Sequence, residues 1–370
     1  MGERWRMDGD GAVTIILANR APQKQLHLPA RGTWVRVCFV VNGVKTQRAT
    51  YTTLHLAFEA QRRGHDVWFM GVDGFSLTDD GRVLGKCARP PRAAYKSARR
   101  YCKALTAAEC PSEEVVLSEL DVVFLRNNPN MGREAGPREN PALDFGRRIR
   151  RHGVLVLNDP DGLLRAGSKM YLAGFPQELR PRTLISRHIE TVKDFLRELD
   201  GPAILKPLAG FGGKNVFYVR RGQVANLNQM IGAVRKQGHI IAQEYLPAVA
   251  RGDKRVLLLR GEPICQDGHV AAYKRMRPKD DIRNNMHVGG TRKRCSFSET
   301  EQRICDLLRP RLLADGLYFV GVDLVGDKVL EINVFAPGGI HNIDQLYKIN
   351  VSAVVLDDLE RRVEERRFAV

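Results

Sequence analysis

Between Trp34 and Pro160 the apolar residues fall into short dense runs set apart by polar or amphipathic stretches. WVRVCFVVN (34–42) and HDVWFMGV (65–72) are almost wholly apolar, which predicts strands buried on both faces. Residues 43–49 form a polar loop. After it TTLHLAFEAQRRG (52–64) repeats its apolar positions at helical spacing, with Arg62 and Arg63 in the last turn and Gly64 as its stop. Strand, helix, strand in this order is a βαβ unit and predicts a parallel sheet. ELDVVFLRNNPN (119–130) and, after a helical region, GVLVLNDP (153–160) supply further strands. Arg126, Asn127 and Asn128 follow a strand's carboxyl end, where ligands of open α/β sheets gather. The basic stretch CARPPRAAYKSARRYCKAL (87–105) reads as a solvated helix, with a nucleic-acid patch as the alternative. Residues 1–33 hold one short apolar run, VTIILA, and read as an appendage or an extra edge strand.

Beyond Gly162 the runs grow shorter and carry polar residues inside them. A helix-like segment (162–175) contains the isolated Lys169. RTLISR reads as a strand, TVKDFLREL as a helix, and AILKP (203–207) as a strand with Lys206 embedded in it. A loop with Gly210, Gly212 and Gly213 leads into the strand NVFYVR. Glycines here let backbone N–H groups turn toward an anion. No Gly-Lys-Ser/Thr opens a helix, and the loop joins two strands, so neither a P-loop nor a dinucleotide fingerprint fits. An ordinary hairpin turn is the plainer alternative. HIIAQEYLP is a strand ending at Gln243, Glu244, Tyr245 and Leu246, and RGDKRVLLLRGEPI (251–264) is a hairpin. Residues 273–294 lack periodicity and are rich in Lys and Arg, which suits a lid over an acidic substrate or a solvated loop. SETEQRICDLLRPRLLADG (298–316) is a helix with a Ser298–Glu301 capping box and Gly316 as its stop. A hairpin turning at Gly326-Asp327 follows, and SAVVLDDLERRVEERR closes the chain as a helix.

That hairpin, YFVGVDLVGDKVLEINVFAP (318–337), places Asp323, Glu331 and Asn333 inside apolar strands. Glu331 and Asn333 are two apart and share a face. Asp323 joins them if the register allows. Two carboxylates and an amide oxygen suit a hard cation such as Mg2+ bridged to phosphates; edge-strand hydrogen bonds or solvation are the alternative.

Charge sharpens the picture. Lys and Arg number 59 against 42 Asp and Glu, a net charge of +17 that favours anionic partners. The seven cysteines form no CxxC pair, which argues against a disulfide framework or a zinc site. No apolar run has membrane-spanning length and MGERWRMDGDG lacks a signal-peptide core, so a soluble, cytoplasmic protein is expected.

Taken in order, AFEAQRRG (57–64), LDVVFLR (120–126), ILKPLAGFGG (204–213), AQEYLPAVARGDKRVLLLRGEP (242–263), RNNMHVGG (283–290) and GLYFVGVDLVGDKVLEINV (316–334) resemble the prokaryotic glutathione synthetases of the ATP-grasp superfamily. The resemblance runs over roughly residues 35–335. It implies an ATP-dependent ligase that joins γ-glutamylcysteine to glycine through an acylphosphate, and suggests a homo-oligomer. By the same resemblance, Lys169 and Lys206 hold the nucleotide phosphates, Gly210, Gly212 and Gly213 close over them, and Gln243, Glu244, Tyr245 and Leu246 receive the adenine. Asp323, Glu331 and Asn333 match Mg2+ ligands, with Mn2+ as a substitute. Arg255, Arg275 and Arg283 match arginines near the acyl substrate and reacting phosphate, and Arg283, Asn285, Gly289 and Gly290 match the water-excluding lid. The implied architecture is α/β: an N-terminal extension (1–33), a parallel-sheet substrate domain (34–160), and a two-lobed α+β ATP-grasp domain (161–370, dividing at about 246).

The chain departs from the resemblance after Asn333. Those synthetases read Ser-Pro-Thr and then Arg-Glu, whereas here Phe335 to Asn342 reads FAPGGIHN. An arginine–carboxylate fork is not reproduced by His or Asn. A different acceptor, or one held in a backbone nest at Gly338 and Gly339, follows as an expectation. The alternatives are a related ATP-grasp peptide ligase and, from the charge alone, a nucleic-acid-binding protein.

Overall fold

The computed structural model describes residues 5–7, 13–15, 34–129, 140–208, 215–222, 225–276 and 291–368. Gly210, Gly212 and Gly213 of the expected phosphate loop, and Arg283, Asn285, Gly289 and Gly290 of the expected lid, lie outside the described residues. Trp5–Met7 and Val13–Ile15 pair antiparallel with each other.

Arg36–Val41 sits inside the first sheet, parallel to Asp66–Gly71 on one side and Val122–Leu125 on the other; Leu155–Leu157 extends the parallel run. Past Arg36 and Asp66 at their starts these strands are apolar because helices and loops cover both faces, and Phe39 stacks on Phe69 and Phe124 at 5.6 and 5.8 Å between ring centres. The sheet is mixed, not purely parallel. Val83–Ala88 and Ser112–Val116, on either side of the stretch expected as a solvated helix, add antiparallel strands at its edge. Only Ala98–Thr106 of that stretch is helical, and it buries Tyr101, Cys102 and Leu105. The basic residues there are the outward half of an amphipathic pattern.

Thr183–Ser186, Ile240–Glu244, Ala203–Pro207 and Phe217–Val219 form an antiparallel sheet in that order. Ala203, Leu205 and Ala242 pack with Val192, Ile231 and Val234 from helices Ile189–Glu198 and Leu227–Arg235. Alternation along a strand therefore sends Lys206 and Gln243 to the opposite, helix-free face.

The third sheet runs Thr291–Lys293, Ala272–Met276, Asp253–Leu259, Phe319–Val325, Lys328–Asn333, again antiparallel. Its last two strands turn at Gly326, whose φ of +59° an L side chain rarely adopts. Helix Glu299–Ala314 feeds this hairpin and carries the expected capping box, Ser298 Oγ accepting from Glu301 N–H at 3.3 Å and Glu301 Oε2 from Ser298 N–H at 2.8 Å. Asn158, fully buried beyond the end of a parallel strand, fastens the hairpin to the first sheet. Its amide donates to the carbonyls of Phe319 (3.0 Å) and Val334 (2.7 Å) and accepts from Phe319 N–H (2.7 Å). The segment expected as one helix at 162–175 is a helix, Pro160–Ala166, followed by a 3-10 turn, Lys169–Gly174. Among the described residues no helix is long and apolar enough to cross a membrane.

Candidate active site

One face of the third sheet carries a row of charged side chains. Directly opposed residues of paired strands project to the same side. Asp323 faces Glu331, Asn333 faces Gly321, Arg255 faces Asp323, and Asp253, two residues before Arg255, faces Arg275. The register that brings Asp323 alongside Glu331 holds because the hairpin shifts by one residue immediately after Asp323. Asp323 is 3% exposed, and its carboxylate accepts Nε and Nη2 of Arg255 (the latter at 2.9 Å), Nη2 of Arg275 at 2.9 Å, and the Asn333 amide at 3.3 Å. Burial opposes its charge, but the two guanidiniums prevail and hold its pKa at about 2. Arg275 also forks onto Asp253, with Nε at 3.0 Å and Nη2 closer. Two buried arginines and two buried aspartates thus neutralise one another. Gly321 makes room for this: a Cβ there would lie 2.9 Å from Pro337 Cβ and 3.3 Å from Arg255 Cδ.

Glu331 is exposed at the open end of the row. Two lysines from other elements approach it. Lys169 Nζ donates to the Pro207 carbonyl at 3.0 Å, which ties the 3-10 turn to the second sheet. Lys206 Nζ donates to Gln243 Oε1 at 2.9 Å, and Gln243 Nε2 donates to Thr183 Oγ1 at 2.9 Å. Burial lowers the pKa of Lys169, against the pull of Glu331. Burial and then the Lys169 charge lower Lys206 to about 8, again opposed by Glu331. Two like charges in a half-buried cleft facing a single carboxylate make a site for a polyanion.

At the far end of the second sheet the backbone amides of Glu244 and Tyr245 donate to the carbonyls of Arg182 and Pro202, each at 2.9 Å. The Glu244 carboxylate accepts from Arg182 N–H at 2.9 Å, and Tyr245 packs edge-on against Tyr218 at 5.0 Å. The Leu246 amide has no intramolecular acceptor among the described residues.

Arg126, 3% exposed at the carboxyl end of a parallel strand, borders the row. Its Nε donates to Thr53 Oγ1 at 3.1 Å and its Nη2 to the Pro337 carbonyl at 3.0 Å, while Nη1 is buried without a partner among the described residues. With no carboxylate beside it, burial pulls its pKa down to about 9. The nest expected at Gly338 and Gly339 is already filled: the Gly339 and Ile340 amides both donate to Thr52 Oγ1, at 3.1 and 3.3 Å. A hydroxyl oxygen on the neighbouring helix takes the place of a ligand anion. The structure therefore gathers Lys169, Lys206, Gln243, Arg255, Arg275, Asp323, Glu331 and Asn333 around one cleft. It adds Asp253 and Thr52 to the residues read from the sequence. Asp253 was legible, since it sits two before Arg255 on the same strand face; Thr52, read as a helix start, gave no signal.

This arrangement agrees with comparisons to known proteins. Residues 35–164 match the model of the prokaryotic glutathione synthetase N-terminal domain, and 168–348 match that of the prokaryotic glutathione synthetase ATP-grasp domain. The chain belongs to the prokaryotic glutathione synthetase family. Among curated relatives, the glutathione synthetase of Vibrio parahaemolyticus is 33% identical over 84% of this chain and 92% of its own length. That of Gloeobacter violaceus is 34% identical over 88% and 94%. Among solved structures, a D-cycloserine synthetase superposes with a TM-score of 0.56 at 16% identity, covering 88% of this chain and 99% of its own. The VanG D-Ala:D-Ser ligase of Enterococcus faecalis gives 0.55 at 14%, with the same coverage. At such identity these structures establish the shared fold alone. Membership in the family makes the chain an ATP-dependent ligase, and the family's members bind ATP and use a divalent metal.

Proposed function

We propose that this ligase joins the carboxylate of an acidic thiol dipeptide, γ-glutamylcysteine, to the amine of glycine. A donor carboxylate oxygen attacks the γ-phosphorus of ATP and ADP leaves; the amine then attacks the acyl carbon of the acylphosphate and phosphate leaves. Such chemistry needs positioning and charge neutralisation more than a nucleophilic side chain. The observation that supports it most is the convergence of Lys169, Lys206 and Glu331 on one cleft.

In this reading Lys169 and Lys206 hold the transferring phosphates, and the free Leu246 amide receives the adenine. Arg126 offers its unpartnered Nη1 to a donor carboxylate. Arg275 keeps its Nη1 for the reacting phosphate while Asp253 fixes the guanidinium plane. The donor set of Asp323, Glu331 and Asn333 fits Mg2+, or Mn2+ in its place: Glu331 is open, and Asp323 Oδ1 takes one donor among the described residues, which leaves a lone pair. A divalent cation held by these three residues would supply neutralisation of phosphate charge. The donor-binding domain corresponds to residues 34–160 and the ATP-grasp unit to 161–370.

A second reading keeps the chemistry and changes the acceptor. It is favoured by the Thr52 hydroxyl lying where a substrate anion was expected at Gly339. One experiment addresses both: ADP release in a coupled assay with γ-glutamylcysteine and a panel of amino acids. Release that needs dipeptide and glycine together supports the first reading, and preference for another amine supports the second. Release independent of any amine contradicts both.

A further inference from the structure

The third sheet carries one further arginine on the face that bears the charged row. Arg292, on the strand Thr291–Lys293, stands directly opposite Arg275. Its side chain therefore projects from the same face as Arg275, Asp253, Arg255 and Asp323, at the end of the row remote from Glu331. Arg255 and Arg275 are each engaged by carboxylates. Arg292 differs: its Nη1 donates to Asn342 Oδ1 and its Nη2 to Gln345 Oε1 at 2.7 Å, both neutral acceptors on helix Ile340–Tyr347. It is half-buried and has no carboxylate partner among the described residues. The cradle thus aims a guanidinium without cancelling its charge.

The wall beside it is also polar. His341, on the same helix, lies 5.2 Å from His55 between ring centres, and His55 Nε2 is buried without a partner among the described residues. Burial and then the nearby Arg292 charge lower the pKa of His341, so Arg292 is close enough to be felt there. Asp344 approaches His55 Nδ1 at 4.0 Å. A fixed guanidinium beside an orphaned ring nitrogen suits a small carboxylate-bearing molecule, with Asp344 turned to His55 Nδ1.

We propose that Arg292, held by Asn342 and Gln345, binds the carboxylate of the acceptor amino acid and sets the preference for acceptors that carry one. This rests on the ligase reading above and names the acceptor subsite within it. A guanidinium–carboxylate contact of this kind is worth roughly 10- to 100-fold in affinity.

The test measures ADP release at saturating ATP and donor, comparing glycine with glycinamide, which lacks the carboxylate. In Arg292→Gln the KM for glycine rises roughly 10- to 100-fold, while the KM values for ATP, donor and glycinamide stay within about twofold. Arg292→Lys restores part of the glycine affinity, because charge returns without the fork. Wild-type enzyme that uses glycinamide as well as glycine overturns the Arg292 assignment and leaves the ligase reading intact. So does a variant that shifts glycine and glycinamide alike, which is the result a merely structural role would give. Wild-type enzyme that turns over no amine at all removes the ligase reading itself, and the subsite with it.

Discussion

Lys206 carries a charge that the fold alone does not want. Its pKa falls from an ordinary 10.5 to about 8, chiefly through burial and then through Lys169. A lowering of that size corresponds to about 3 kcal/mol of destabilisation of the charged form, an upper figure because the side chain is only half-buried. The sign follows from proton binding. Below pH 8 both folded and unfolded chains hold the proton and the full penalty applies. Between 8 and 10.5 the folded lysine sheds its proton first, so stability rises with pH; above 10.5 the penalty is gone. Lys206→Met removes the penalty but leaves Gln243 Oε1 without its donor, a loss of about 1 kcal/mol. The ATP-free variant is therefore expected to be more stable than wild type by about 1–2 kcal/mol at pH 7. The advantage vanishes and reverses by pH 10.5, because neutral Lys206 still serves Gln243. Urea unfolding at a series of pH values measures this difference. The same substitution weakens ATP binding on the order of 100-fold, since a charge-assisted phosphate contact is lost. A variant that is destabilised at pH 7, or whose difference from wild type does not change with pH, refutes the reasoning.

Glu331 is exposed at the hairpin's open end, so Glu331→Gln should leave the thermal transition where it is while turnover falls on the order of 100-fold or more; activity and Mg2+ dependence both retained at the wild-type level would remove it from the metal site. Asp323→Asn leaves two buried guanidiniums with one carboxylate and should cost about 3–5 kcal/mol in denaturant titrations. In wild type the pH-dependent part of that contribution, about 2 kcal/mol, is complete above Asp323's ordinary pKa of 3.8 and is lost as pH falls toward about 2, so the variant's acid unfolding should be correspondingly flatter across this window. Arg126→Met removes a buried charge that has no anionic partner. Stability should stay within about 1 kcal/mol, while the KM for the donor rises at least about tenfold and that for ATP does not; an unchanged donor KM would take Arg126 out of the donor site.

Much of this was readable along the chain because burial leaves local traces. Strands sandwiched between layers, such as Val37–Val41 within Arg36–Val41 and Val122–Leu125, are apolar along their buried length. Strands with one open face show the exceptions, as with Lys206 among AILKP and Glu331 and Asn333 in KVLEINV. The capping box at Ser298 is a four-residue signal and stood out for the same reason. What the sequence hid depends on pairing between distant segments. Ser112–Val116 is short, exposed and half acidic, and becomes a strand because Val83–Ala88 offers an edge. Asp253 facing Arg275, and Arg275 facing Arg292, follow from strand registers that no local pattern encodes. The 340–347 helix went unread because two glycines and polar residues precede and fill it, and its helical state comes from packing and from the Thr52 cap on its first amides. Arg292 was counted with a basic lid for that reason, although its partners on this helix give it a fixed place.

The central claim is that a carboxylate of the donor is phosphorylated by ATP before the amine attacks. A heavy-oxygen label placed in the donor carboxylate tests it most directly, with the released phosphate and the peptide product analysed by mass spectrometry. Acylphosphate chemistry transfers one labelled oxygen to each phosphate formed, in step with peptide product and ADP. Phosphate without the label, released at the same rate as product, would contradict the account.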